Sequence, residues 1–175
     1  MKARPGMSAR RLATAAVAGA TAVALLSGCG MQTRQQAAAI VNGTVIHQDE
    51  VRQAATQLSP LGFNEQGVVL ALIAAPLLMA QVEKSGSWQP DTTYASLLAR
   101  ISDPTPATKE TLAAAALIES ARMTEADVAG YRAALKDARI TVSPRFGTVK
   151  KSDTGPLYFS LGASSPNWIA AASSK

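Results

Sequence analysis

A mainly α domain with a small β element is what the 175-residue sequence predicts: about five helices, plus an N-terminal β-ribbon joined by a C-terminal strand. Three observations carry this. Between residues 48 and 138, apolar side chains recur at helical spacing in successive runs broken by proline and glycine. Asn42-Gly43 stands between two β-prone pieces, the strongest short hairpin signal. One further strand-like segment, Ile140 to Gly147, lies far along the chain from that ribbon.

The first element is an address rather than part of the fold. Residues 1–11 carry Lys2, Arg4, Arg10 and Arg11, residues 12–26 are apolar and small, and Ser27-Gly28-Cys29 follows. This is the order of a secretory signal: charged region, apolar region, small-residue cleavage site. The apolar run falls short of the ~20 residues a spanning helix needs. Residues 68–80 are the other long apolar stretch, but Pro76 and polar flanks argue against a span there, so no transmembrane helix is expected. Residues 30–37 are polar and read as a tether.

The ribbon follows, Ala38 to Val41 and Val45-Ile46 around the Asn-Gly turn. Its arms are short, so it needs a surface to pack on. A helix over 48–58 opens with Asp49 and Glu50, which meet the positive helix end, and carries Val51, Ala54, Ala55 and Leu58 on one face. Asn64 can cap a second helix running to Lys84. That helix holds Val68, Val69, Leu72, Ile73, Leu77, Leu78 and Met79, the most apolar stretch after the signal, and Pro76 should kink or split it. A third helix, 92–102, spaces Tyr94, Leu97, Leu98 and Ile101 for one face. After the rigid Asp103-Pro104-Thr105-Pro106 break, a fourth, 107–122, carries Leu112, Ala115, Ala116 and Leu117. Thr124 to Asp127 is a variant capping box opening a fifth helix to Ala138, with Tyr131 and Leu135 inward. The 140–147 strand ends in a turn. An isolated strand leaves backbone groups unpaired, so it should add to the ribbon. Residues 149–175 read as a weakly structured tail, within which Leu157-Tyr158-Phe159 and Trp168-Ile169 can dock locally.

Composition excludes several functions. The formal net charge of +5 is misleading, because without the four signal-segment cations 13 basic residues face 12 acidic ones. Such a chain has no electrostatic footprint for nucleic acid. One cysteine and one histidine exclude a disulfide framework and a Cys- or His-cluster metal site, and no cofactor is expected. No nucleophile elbow, P-loop or dinucleotide glycine pattern is present. His47, beside a turn and a helix start, reads as a capping or surface residue. Asp49 and Glu50 point apart on a helix and suit its N-terminus. Arg145 reads as a turn arginine tying down the strand end. No nucleophile–base–orienter set can be assembled, so an enzyme is not expected.

Two resemblances sharpen this. Leu26-Ser27-Gly28-Cys29, directly after the apolar region, resembles the bacterial lipobox. That resemblance implies cleavage after residue 28 and a diacylglycerol thioether on Cys29, hence a lipid anchor on the extracytoplasmic face of the cell membrane. Two acyl chains anchor stably where one does not. Second, Ala38 to Gly43, Val45-Ile46, Asp49-Glu50-Val51, the Leu70–Ile73 and Leu77-Leu78 pattern, and the returning Ala138–Gly147 segment resemble the SurA-like, foldase-type chaperone N-terminal domain over about 38–148, as found in actinobacterial lipoproteins. Pro76 departs from that family's pattern. The resemblance implies a holdase that binds unfolded secreted or envelope polypeptides through apolar surface, without the parvulin prolyl isomerase domain, for which the chain has no room. Helical apolar spacing usually means core, but a holdase needs part of it open. Val69, Leu72, Ile73 and Leu77 are therefore the expected client-binding residues. The alternative is a structural or interaction lipoprotein that docks one specific envelope partner.

Overall fold

The computed structural model describes residues 36–87, 92–119 and 123–162. Cys29, the signal segment 1–28, most of the 29–37 tether and Trp168-Ile169 lie outside the described residues. The described chain is mainly α with a small β element, as the sequence predicts; that β element comprises two antiparallel sheets, of three and two strands.

Strands β1 (Ala37–Val41) and β2 (Thr44–His47) form the hairpin. Asn42 (φ 51°) and Gly43 (φ 93°) make the turn, the pair of positive dihedrals that matches the twist of the flanking strands. β3 (Ile140–Val142) pairs antiparallel with the other side of β1, giving the order β2-β1-β3. Asn42 also fixes this closure: its N–H donates to the Arg139 carbonyl, and its Oδ1 accepts from the Arg139 N–H, both at 2.9 Å.

Helix α1 (Gln48–Leu58) buries Val51, Ala54, Ala55 and Leu58, the expected stripe. Helix α2 (Glu65–Ser85) is capped by Asn64, whose side chain accepts from the Gly67 N–H at 2.8 Å, and it ends at Gly86 in the left-handed conformation. It runs unbroken through Pro76, so the expected split does not occur. Pro76 is exposed, and the helix absorbs the loss of its N–H within one continuous segment. By length and composition α2 is apolar enough to cross a membrane, but more than half of its most apolar window is buried under other elements. It packs against α1, β1, the second and third of the three helices that follow, and the last strand.

Helix α3 (Thr92–Ala99) is shorter than expected, its end tightened by bonds from Arg100 N to Leu97 O and from Ile101 N to Leu98 O. Helix α4 (Pro106–Glu119) starts with proline at its first position, where a missing N–H costs nothing. It buries Ala113 and Ala114, rather than Ala115 and Ala116, beside Leu112 and Leu117. Gln57 of α1 holds the α4 entry: its Oε1 accepts from Thr105 N and Thr108 Oγ1, and its Nε2 donates to the Asp103 carbonyl. Helix α5 (Glu125–Asp137) carries the reciprocal Thr124–Asp127 capping box and buries Tyr131 and Leu135.

The expected weakly structured tail 149–175 is corrected over its first part. β4 (Thr148–Lys151) and β5 (Phe159–Gly162) form an antiparallel hairpin. With the preceding turn it delivers Phe146, Phe159 and Leu161 to the core. Gly147 makes this possible: at φ +105°, a Cβ there would overlap the Gly162 carbonyl oxygen. Arg145 ties the turn down as expected, donating to Glu65 in the first turn of α2 at 2.6 Å.

Candidate binding groove

The expected client-binding residues are core. Val69 and Ile73 are fully buried, and Leu72 and Leu77 are 4% and 7% exposed. An apolar side chain without contact to solvent cannot accept a client, so Val69, Ile73 and Leu77 are corrected to packing residues. The reason lies in α2 itself. Its apolar residues run nearly all round, because α1, α4, α5, β1 and β5 all lie against it.

One line of α2 escapes this enclosure. Leu72, Pro76, Met79 and Glu83 follow one another at spacings of four, three and four, and so share a face. That face is the floor of a groove of about 480 Å³. The β1–β2 hairpin supplies one wall through Val41, Thr44, Val45 and Ile46, and α4 supplies the other through Pro106, Ala107 and Glu110. Val45, Ile46 and Met79 are half-buried and Pro76 is exposed, so the groove presents apolar surface to its opening. Leu72 is the one expected residue that reaches it, as nearly buried floor. Pro76 has no N–H, so the Leu72 carbonyl lacks its donor at the fourth residue on.

Three carboxylates rim this apolar floor: Glu50, Glu83 and Glu110, one from each helix. No basic residue lines it among the described residues. Glu50 closes the start of α1 by accepting from the His47 N–H at 3.0 Å, which places His47 at the helix cap as expected. Glu110 feels the groove most. Burial of its carboxyl first, and the like charge of Glu50 second, raise its pKa above the ordinary carboxylate value. The groove is thus an apolar trough with negative potential.

Two other hollows are larger. One, about 690 Å³, lies at the Arg145 turn among Asn64, Glu65, Gln66 and Phe146, and there Arg145 is already paired with Glu65. The second, about 640 Å³, is lined by Arg132, Lys136, Lys151, Asp153 and Tyr158. Lys151 and Arg132 are already engaged there. Lys151 Nζ donates to the Lys136 and Ala138 carbonyls at the end of α5, at 2.9 and 3.1 Å. Arg132 lies over the Tyr158 ring, 4.9 Å from its centre, and pairs with Asp153 at 3.4 Å. These contacts fasten the second hairpin to α5. Tyr131 joins them by donating to the Leu157 carbonyl at 2.8 Å; burial, then the neighbouring Tyr158, raises its pKa.

Asp127 is nearly buried and bonded from several sides. Its Oδ2 accepts from Thr124 N, Thr124 Oγ1 and Ser87 Oγ at 2.9, 2.8 and 3.0 Å. Hydrogen bonds from the Ser85 hydroxyl, then from Thr124 and Ser87, hold its pKa at about 2. That arrangement closes a helix start and uses up the oxygen, so it is structural. Among the described residues, no three His, Cys, Asp or Glu side chains come together as metal ligands.

Groove residues are legible in the sequence only in part. Pro76 inside an apolar helix is the available signal: it takes a backbone donor out of the helix interior, and it sits on the line of α2 that floors the groove. Compared with known proteins, the chain matches no family model, no curated protein and no solved structure.

Proposed function

We propose that this chain is a lipid-anchored, extracytoplasmic holdase, chaperone-like and without catalysis, which takes short stretches of unfolded secreted or envelope polypeptide into the α2 groove. The observation that carries the reading is an open trough with Val45, Ile46, Pro76 and Met79 at its surface and three carboxylates at its rim. Apolar contact is non-directional, so one surface of this kind accepts many sequences. A volume of about 480 Å³ suits a few side chains at a time, not a folded domain. The anchor at Cys29 holds the module at the membrane face where exported chains emerge unfolded.

The test is a dilution experiment. The soluble chain 30–175 is mixed with a chemically unfolded client, and light scattering is followed with an inert protein as control. Suppressed aggregation at near-stoichiometric ratio, weakened several-fold by Met79→Asp with an unchanged melting curve, supports the holdase. No suppression by a folded chain refutes it and favours docking of one specific envelope partner, to be sought by cross-linking on intact cells.

A further inference from the structure

The groove wall that β2 provides is an open sheet edge. β2 is terminal in the order β2-β1-β3. Val41 and Thr44 flank the two-residue turn, and in such a hairpin the flanking pair exchanges both backbone bonds. Bonded and non-bonded pairs alternate along an antiparallel ladder. The Val45 N–H and C=O therefore point away from β1, along the open edge, and Val45 also lines the groove. Thr44-Val45-Ile46-His47 carries no lysine, proline or inward charge, the devices that protect sheet edges. Facing this edge across the floor are Pro76, Met79 and the three carboxylates.

We infer that the occupant is an extended polypeptide segment bearing lysine or arginine, which adds to β2 as a fourth strand. Resting on the holdase reading, this names its mode of recognition. The backbone of the segment pairs with Val45. Side chains alternate along a strand, so every second one drops onto the Pro76–Met79 floor. A cation at the rim meets Glu50, Glu83 and Glu110, and no basic residue of the groove opposes it. The complementarity is to a foreign chain. A second copy would bring β2 itself, which holds no lysine or arginine to match the rim.

The experiment uses the full chain in nonionic detergent, with empty micelles as control, and fluorescence anisotropy of labelled nine-residue peptides. One peptide alternates valine with lysine and serine, a second replaces lysine by glutamate, and a third is the lysine peptide with one central backbone N-methyl group. Binding of the lysine peptide, at least tenfold weaker for the other two, is the expected result. The Glu83→Lys/Glu110→Lys variant should lose tenfold affinity for the lysine peptide, and high salt should shrink that difference. Val45→Pro removes the edge donor at a position where edge strands accept proline, and should weaken binding to the same extent. If that variant does not fold, the N-methyl peptide reads the same backbone pairing from the other side.

Equal binding of the N-methyl peptide overturns strand addition, and equal binding of the glutamate peptide overturns the cation requirement. A chain dimer that Val45→Pro dissolves overturns the foreign-chain assignment. If no peptide binds while the chain still suppresses client aggregation, the inference falls and the holdase reading stands. If suppression is absent too, both fall.

Discussion

Gly147→Ala separates two costs that a glycine can hide. Among the described residues five glycines have positive φ, and four of them (Gly43, Gly62, Gly86 and Gly155) face open space where a Cβ would sit. At Gly155, φ +90°, alanine meets only backbone strain, about 1–2 kcal/mol. At Gly147, φ +105°, the same strain is joined by collision with the Gly162 carbonyl, a backbone atom that cannot swing aside. Relief requires β4 and β5 to part, which loosens the Phe159 and Leu161 side chains they bury. Partial exposure of two large apolar residues adds roughly 2–3 kcal/mol. Gly147→Ala should therefore cost about 3–5 kcal/mol. At roughly 4 °C per kcal/mol for a domain of this size, that is a fall in Tm of about 12–20 °C. Gly155→Ala should lose only about 4–8 °C. Thermal melts by circular dichroism on both variants decide it. Equal falls would mean that the hairpin is not packed as described, and that residues 148–162 do not belong to the core.

Three further outcomes can be checked. The Asp127 pKa lies below its ordinary value, so ionised Asp127 stabilises the fold above about pH 4, and this contribution drains away as pH falls toward about 2. Asp127→Asn should flatten the acid limb of a Tm-against-pH curve, and an unchanged limb would refute the capping role. Pro76→Ala restores a donor to the Leu72 carbonyl on an exposed helix face, so it should raise stability by about 1–3 kcal/mol in urea melts while changing groove affinity; a lower midpoint would mean that proline is packed, not tolerated. Cys29→Ala should abolish incorporation of labelled fatty acid and release the chain from the membrane fraction; normal retention would sink the anchor.

Helix α1 is legible to the residue because its apolar stripe, acidic first turn and capping sequence all agree. The β1–β3 closure is legible because Asn-Gly has few conformational alternatives, and a lone strand must find a partner. α2 is legible as a helix but not as faces. When apolar residues run nearly all round, spacing cannot say which line stays open, and Val69, Ile73 and Leu77 lie on lines that are covered. The β4–β5 hairpin leaves little mark in the sequence because Thr148–Lys151 ends in two lysines and its strands are joined by Ser, Asp, Thr, Gly and Pro. Its evidence is tertiary: a close backbone approach at Gly147 and aromatic residues that reach the core from a polar ribbon. The groove is composite for the same reason. Thr44 of the first hairpin, Met79 of α2 and Glu110 of α4 are far apart along the chain, and they line one trough only once the fold has closed.

β1 lies between β2 and β3, bonded along both sides. A pull on the chain ahead of Ala37, the direction from which a membrane tether would act, enters the domain through its middle strand rather than at an edge. Along the strand axis such a pull loads two ladders of hydrogen bonds in shear, all at once, instead of peeling them one by one. The arrangement makes this end of the chain a mechanical clamp: a load on the open edge strains β2, while a load arriving ahead of Ala37 runs through the strand held on both sides.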